Sequence, residues 1–216
     1  MALLRFVHPF TSAFIVGSYL SAWESGDFRY QADYRWTDYA DISRHAKLAV
    51  IASEDQKFAF HPGFDFDAID KALKERESGK RYRGASTISQ QVAKNLFLWS
   101  APSFVRKGCE AYLTLLIEAL WPKQRILEIY LNIAQFGPGV YGVGAAAPRY
   151  FHTTPARLTR GQAALLAAVL PAPTRFHADQ PSSYMLRRQA WITSQMNALG
   201  GEAYIREVDD SHGGGH

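Results

Sequence analysis

The stretch Ala163 to Leu170, Ala-Ala-Leu-Leu-Ala-Ala-Val-Leu, has no polar side chain on any face. A helix that is apolar all round has to be enclosed by other elements, so the chain must wrap a core around it. Thr159 and Gln162, just ahead, form the Thr-x-x-Gln capping box that opens a helix, and Pro171 and Pro173 stop it. The rest of the chain supplies amphipathic helices to do the wrapping. One runs from an N-cap at Asp41 or Ser43 to about Phe58. A second follows Asp65 or Asp67, with Phe66, Ile69 and Leu73 at helical spacing, and ends at Gly79. A third opens on the capping box Thr87 to Gln90 and carries the stripe Ile88, Val92, Leu96. A fourth spans about Ser103 to Trp121, with Val105, Cys109, Tyr112, Leu116 and Leu120 as its expected buried stripe. Pro122 suits the first turn of a fifth, which runs to about Gln135 with Ile126, Ile129, Tyr130 and Ile133 inward. The last runs from Ser182 to Leu199, with Met185, Ile192, Met196 and Leu199 inward, and Gly200-Gly201 stops it. No βαβ alternation occurs, so the class is mainly α.

At 216 residues the chain is long enough for one compact domain with a small lobe. With 47% apolar and 20% charged residues, it is not a disordered chain. A net charge of +4 is too mild to argue for nucleic acid, and it suits an anionic membrane surface or a pyrophosphate ligand. The one cysteine, Cys109, excludes an internal disulfide and a cysteine-based metal site. Phe6 to Trp23 carries no charged side chain and is about long enough to cross a bilayer, but it contains His8, Pro9 and Gly17. It reads as a surface-lying segment. Residues 24–40 are polar and aromatic and read as an extended arm. The expected division is therefore a membrane-proximal segment and arm over 1–40, a globular domain over 41–205, and a flexible tail over 206–216, with Ser211 to His216 its disordered end.

Several clusters carry chemistry. In Ile51 to Gly63 an apolar helix delivers the adjacent carboxylates Glu54 and Asp55 next to Phe58, His61 and a Pro-Gly turn. A carboxylate in such apolar surroundings has a raised pKa that suits acid or base work; the alternative is a helix end that simply surfaces. Gln91, Lys94 and Asn95 lie one turn apart and combine amide donors with one cation, which suits sugar hydroxyls or phosphate oxygens. The alternative there is a solvated polar face. Arg106, Glu110 and Thr114 align at i, i+4 and i+8, as a surface ion pair also would. Arg125, Glu128 and Asn132 share a face and tie segments together by hydrogen bonds. Phe136 to Gly144 has four glycines and reads as a loop that admits close approach. Asp65-Phe66-Asp67 mimics a metal-binding Asp-x-Asp, and both aspartates also fit as helix caps.

Four stretches in this order and spacing resemble the peptidoglycan glycosyltransferases, lysozyme-like enzymes that polymerise lipid II. They are Glu54-Asp55-Gln56-Lys57-Phe58 with His61 and Gly63, Arg83-Gly84-Ala85-Ser86-Thr87 through Gln91 to Leu98, Arg106-Lys107-Gly108-Cys109-Glu110, and Lys123 to Asn132. The resemblance covers about residues 30–200. No transpeptidase domain follows, so the likeness is to the monofunctional biosynthetic transglycosylases.

The resemblance implies a larger helical head with a small membrane-proximal jaw lobe. It also implies transfer of a growing undecaprenyl-pyrophosphate-linked glycan onto the GlcNAc 4-hydroxyl of lipid II, with inversion. Glu54 matches the family's catalytic base and Glu110 its second glutamate. Gln91, Lys94, Asn95, Arg106, Lys107, Phe58 and Ser86 match substrate-binding positions, with Phe58 expected to pack, Ser86 and Thr87 to shape the helix start, and His61 to hold its loop. No cofactor is obligatory, although a divalent cation, Mg or Mn, near Glu110 fits the family. The implied partners are lipid II, the lipid-linked glycan, the membrane surface and cell-wall synthesis and division proteins, and not nucleic acid. The implied location is the periplasmic face of the bacterial inner membrane. The resemblance further implies a transmembrane helix just before the run Phe6 to Trp23. One departure stands out: many members carry an arginine four residues before the Arg106-Lys107 pair, where this chain has Pro102. Three rival readings are a lysozyme-type hydrolase, a nucleotide-sugar transferase using Asp65 and Asp67, and an inactive scaffold.

Overall fold

The computed structural model describes residues 1–78 and 86–211. The stop at Gly79, the basic loop Lys80 to Gly84 with Arg83, and the end of the tail lie outside the described residues. The fold is mainly helical, as expected for a lysozyme-like chain. The apolar stretch forms α8 (Arg160–Val169), opened by the Thr159–Gln162 capping box and buried along its length. Its alanines let two helices come close: α2 (Arg44–Glu54) on one side and α9 (Ser183–Ala198) on another. A second group consists of α4 (Ile88–Phe97), capped by the predicted Thr87–Gln90 box, packed on α5 (Phe104–Leu120) and α6 (Lys123–Ile133). The shorter α1 (Ala13–Glu24) lies on α4. The helix α3 (Phe66–Glu77), capped by Asp65 through the Ala68 N–H, and the first half of α5 bury little and make the smaller lobe.

The glycine-rich loop is more ordered than its composition suggests. It folds into β2 (Gln135–Gly137) and β3 (Val140–Tyr141), then opens α7 (Val143–Phe151). β3 pairs antiparallel with β2 and parallel with β1 (Asp33–Tyr34), in the order β1-β3-β2. Its glycines serve packing. A Cβ on Gly144 would stand 2.1 Å from the Arg35 carbonyl oxygen, so the arm crosses where only a hydrogen fits.

Residues before 41 are thus not a separate arm. β1 enters the sheet, the Thr37 N–H donates to Asn132 Oδ1 at 2.7 Å, and the Tyr39 N–H donates to Glu128 Oε1 at 2.8 Å. The tail boundary at 206 also moves. Residues Ala203–Asp210 form α10, with Tyr204, Ile205 and Val208 buried against α2 and α6.

The stripe expected on α5 holds only in part: Leu120 packs against the core, and Cys109 and Leu116 are half-buried. Val105 is 71% exposed and Tyr112 63%, whereas Glu110, Thr114 and Ile117 are buried. The buried polar row is satisfied within α5 itself: Arg106 and Lys107 bind Glu110, and the Thr114 hydroxyl donates to the Glu110 carbonyl at 2.7 Å. Of the expected apolar row, Val105 and Tyr112 are left facing out. α2 also ends four residues early, at Glu54, because Asp55 leaves helical geometry (φ −159°, ψ 77°) to bond elsewhere.

The crossing at Gly144 yields a stability prediction. Gly144→Ala is expected to destabilise the fold by about 1–3 kcal/mol, since the neighbour that must yield is backbone. Urea unfolding of the variant reads this directly, and an unchanged midpoint would contradict the close crossing.

Candidate active site

The end of α2 and the start of α4 meet beside α9, and a cleft of about 580 Å³ opens between them. It is lined by Ser53, Glu54, Ser86, Gln91 and Lys94, with Tyr184, Arg187, Arg188 and Trp191 from α9 opposite. Glu54 is the last residue of α2, its side chain 17% exposed. Gln91 Nε2 donates to its Oε2 at 3.0 Å, the Ser53 hydroxyl lies 3.4 Å from its Oε1, and Arg188 Nη2 stands 3.8 Å from Oε1. Behind Gln91, the buried Tyr130 hydroxyl donates to Gln91 Oε1 at 3.4 Å, which fixes the amide so that its NH₂ faces the carboxylate. Burial raises the Glu54 pKa; the hydrogen bonds from Gln91 and Ser53 and the charge of Arg188 oppose that.

Lys94 faces the same cleft from α4. Burial lowers its pKa, and Glu110 opposes this while Arg106 and Lys107 reinforce it. Among the described residues it makes no ion pair, and its ammonium lies over the Phe14 ring at 5.4 Å. Behind it stands a cationic cluster. Arg106, 13% exposed, donates to Glu110 Oε2 at 2.9 Å and through Nε to the Ala101 carbonyl at 3.1 Å. Lys107 reaches Glu110 Oε1 at 2.5 Å. Glu110 is therefore no surface partner but a buried carboxylate engaged on both oxygens.

The structure brings Glu54, Ser86, Gln91 and Lys94 into one cleft. Arg106, Lys107 and Glu110 form a neighbouring cluster that reaches the cleft through the field at Lys94. Asn95 faces a smaller, 190 Å³ cavity with Phe14, Gln91, Lys94 and Tyr130, and its buried Oδ1 has no partner. Phe58 is fully buried and presents no surface to a ligand, so its place among the substrate-binding residues is corrected to packing. His61 holds its loop as expected, bonding Asp55 Oδ1 at 2.8 Å and accepting the Gly63 N–H at 3.2 Å.

The Asp-x-Asp pair is spent on local structure. Asp65 caps α3, and Lys57 binds Asp67 at 2.6 Å. Both Glu110 oxygens are held by cations here, and no group of three acidic, histidine or cysteine side chains gathers among the described residues. What the sequence did not announce is the α9 wall. Arg187 and Arg188 flank an inward Met185–Ile192 stripe, and adjacent arginines beside a buried face were the available signal.

Comparison with known proteins bears on this geometry. The family model for the transglycosylases matches residues 22–197. A biosynthetic peptidoglycan transglycosylase of Salmonella schwarzengrund is 58% identical over 198 residues, which is 91% of this chain and 81% of that protein. One from Pectobacterium carotovorum subsp. carotovorum is 55% identical over 199 residues, 92% and 81% of the two chains. One from Xanthomonas euvesicatoria pv. vesicatoria is 51% identical over 204 residues, 94% and 82%.

The raised pKa of Glu54 has a consequence for stability. The folded chain holds this proton more tightly than the unfolded chain, so stability is lost as pH rises from the ordinary carboxylate range through the raised value. Glu54→Gln removes that loss. The variant is expected to melt above wild type at neutral pH, with the gain vanishing near about pH 3.5, where the carboxyl is protonated in both states. Equal melting at neutral pH would show that Glu54 is not desolvated.

Proposed function

The chain belongs to the transglycosylase family, and from that premise we propose that it polymerises the glycan strands of peptidoglycan. In this reading it is a glycosyltransferase of the cell envelope. The observation that carries the reading is one cleft that holds both a desolvated carboxylate and, from α4, a desolvated lysine backed by an arginine and a second lysine. A hydrolase of glycan has no use for the second feature; a transferase that expels a pyrophosphate does.

The donor is the growing glycan, its reducing-end sugar joined at C1 to undecaprenyl pyrophosphate, and the acceptor is lipid II. Glu54 takes the proton of the GlcNAc 4-hydroxyl as that oxygen attacks C1 from the face opposite the leaving group. The O4–C1 bond forms, the C1–O bond to pyrophosphate breaks, the configuration inverts, and the pyrophosphate departs with the bonding pair. Gln91 aims the carboxylate. Lys94 meets the developing charge on the pyrophosphate in a partly dry site, where a cation acts most strongly. Arg106 and Lys107 add field from behind, and Glu110 sets their positions without meeting substrate. Arg187 and Arg188 offer further cations on the opposite wall, which offsets the missing arginine at Pro102. Asn95 and Ser86 complete the sugar and phosphate contacts. No cofactor is invoked.

A lipid-linked substrate calls for a membrane surface. The outward row of α5 supplies one: Phe104 is 98% exposed, with Val105, Tyr112 and Leu115 beside it and Trp99 just before the helix. No helix among the described residues is long and apolar enough to cross a membrane. We place the enzyme at the periplasmic face of the bacterial inner membrane, alongside other cell-wall synthesis and division proteins.

Labelled lipid II in detergent, read as glycan strands on a gel, tests the reaction. Glu54→Gln is expected to lower the rate at least ~10²-fold, and Lys94→Gln to lower it by about 10²-fold. Equal strand yield from Glu54→Gln would remove Glu54 from its role. Phe104→Glu with Leu115→Glu is expected to reduce sedimentation with anionic vesicles several-fold while strand synthesis in detergent persists; unchanged sedimentation would move the membrane face elsewhere.

A further inference from the structure

Helix α10 lies beyond the stretch matched by the family model, yet it reaches the loop that follows Glu54. Gln56 to Ala59 is a turn whose two ends, the Gln56 carbonyl and the Ala59 N–H, are not bonded to each other. The Tyr204 hydroxyl stands between them. It accepts the Ala59 N–H at 3.2 Å and donates to the Gln56 carbonyl at 2.9 Å. One phenol can do both at once, so it closes the turn in place of a direct bond between its ends. The Tyr204 ring is buried and meets Phe60 edge-on at 5.7 Å. The Gln56 side chain adds a second tie, donating from Nε2 to the Ala52 carbonyl in the last turn of α2 and to Gln195 Oε1, both at 3.1 Å.

α10 is itself anchored. Ile205 and Val208 are buried, and Asp209 accepts the Tyr39 hydroxyl at 2.7 Å. The residue between Glu54 and the turn is also fixed, since Asp55 bonds the start of α4 at the Ile88 N–H, 2.9 Å away. The phenol of Tyr204 is pushed up to about 12 by burial, with Asp55 and Glu207 adding to this and the Ala59 bond opposing it, so it keeps its donor proton over the working range.

We infer that Tyr204 is a positioning residue for Glu54, its hydroxyl closing the turn that holds the end of α2 and keeps the carboxylate in its half-buried place. The inference rests on the reading of Glu54 as the base. Its test is Tyr204→Phe, which keeps the ring and its packing and removes only the bridge. Two quantities are read: kcat and KM for strand synthesis, and the titration of Glu54 followed by carboxyl carbon NMR in the ligand-free protein. Glu54 faces Ser53, Asp55, Gln91, Lys94, Tyr130 and Arg188, none of which the substitution alters. The expected result is a fall in kcat of about tenfold with KM little changed, and a Glu54 midpoint that relaxes downward as water gains access. Glu202→Gln, which breaks only the exposed ion pair of α10 with Arg44, should leave both unchanged. An unaltered Glu54 midpoint in Tyr204→Phe overturns the inference, whatever happens to the melting temperature. Equal strand synthesis by wild type and Glu54→Gln would instead reject the base assignment while the titration still judges the bridge, so the two failures are distinguishable.

Discussion

Everything at the cleft depends on one buried carboxylate that does no chemistry. Asp55 spends one oxygen on the Ile88 N–H at 2.9 Å and the other on His61 Nε2 at 2.8 Å. The first bond satisfies a free N–H at the start of α4 and places negative charge at the positive end of that helix. It therefore joins the end of α2 to the beginning of α4, which is what brings Glu54 within reach of Gln91. The second bond continues inward. The His61 carbonyl accepts from Lys123 Nζ at 2.6 Å, Lys123 binds Glu118 at 2.7 Å, and Glu118 accepts the Ser89 hydroxyl on α4. Thr87 adds a bond from its hydroxyl to the Gly63 carbonyl at 2.6 Å. The result is a closed polar ring under the cleft in which each buried group has a partner, and such networks rigidify the elements they join.

That rigidity lets the cleft itself stay under-satisfied. Glu54 loses more to desolvation than its neighbours return, and Lys94 likewise; Asn95 Oδ1 and Arg188 Nε are buried without partners. Each is unfavourable in the free protein, and in the proposed reading each is matched by a ligand carrying hydroxyls and phosphates. The network below and Tyr204 beside it keep these groups from relaxing toward one another. Stability is concentrated one layer beneath the chemistry.

The helices were legible in the sequence because capping and apolar spacing act locally: both Thr-x-x-Gln boxes open helices, and the apolar α8 lies at the centre. Glu54, Gln91 and Lys94 were legible through the residue pattern and the resemblance it carried. What local pattern could not show was which face of α5 turns inward. Hydrophobicity favoured Val105 and Tyr112, but the side that turns inward carries Glu110, Thr114 and Ile117, with Thr114 set against the distant Gly63, a contact only the fold provides. Nor could it show α7 among the glycines, because Gly142 and Gly144 are set by contacts with Asn132 and Arg35, distant in sequence. The α9 arginines escaped for the same reason: only the fold carries them across to Glu54.

The two glutamates show why environment, and not residue type, assigns a role. In the sequence Glu54 and Glu110 are alike, each on an amphipathic stretch and each matched to a family position. In the structure Glu110 has one oxygen on Arg106 and the other on Lys107, and it is buried at the root of α5. Glu54 has an amide on one oxygen, a distant guanidinium near the other, and an open cleft in front. Its neighbours aim it without neutralising it. In the proposed reading the carboxylate that takes the proton is buried, open to the cleft and only loosely paired, and of the two only Glu54, 3.8 Å from Arg188, is so placed. Glu110 is buried as well, but it is closely paired on both oxygens, the arrangement of a counter-ion that holds Arg106 and Lys107 in place.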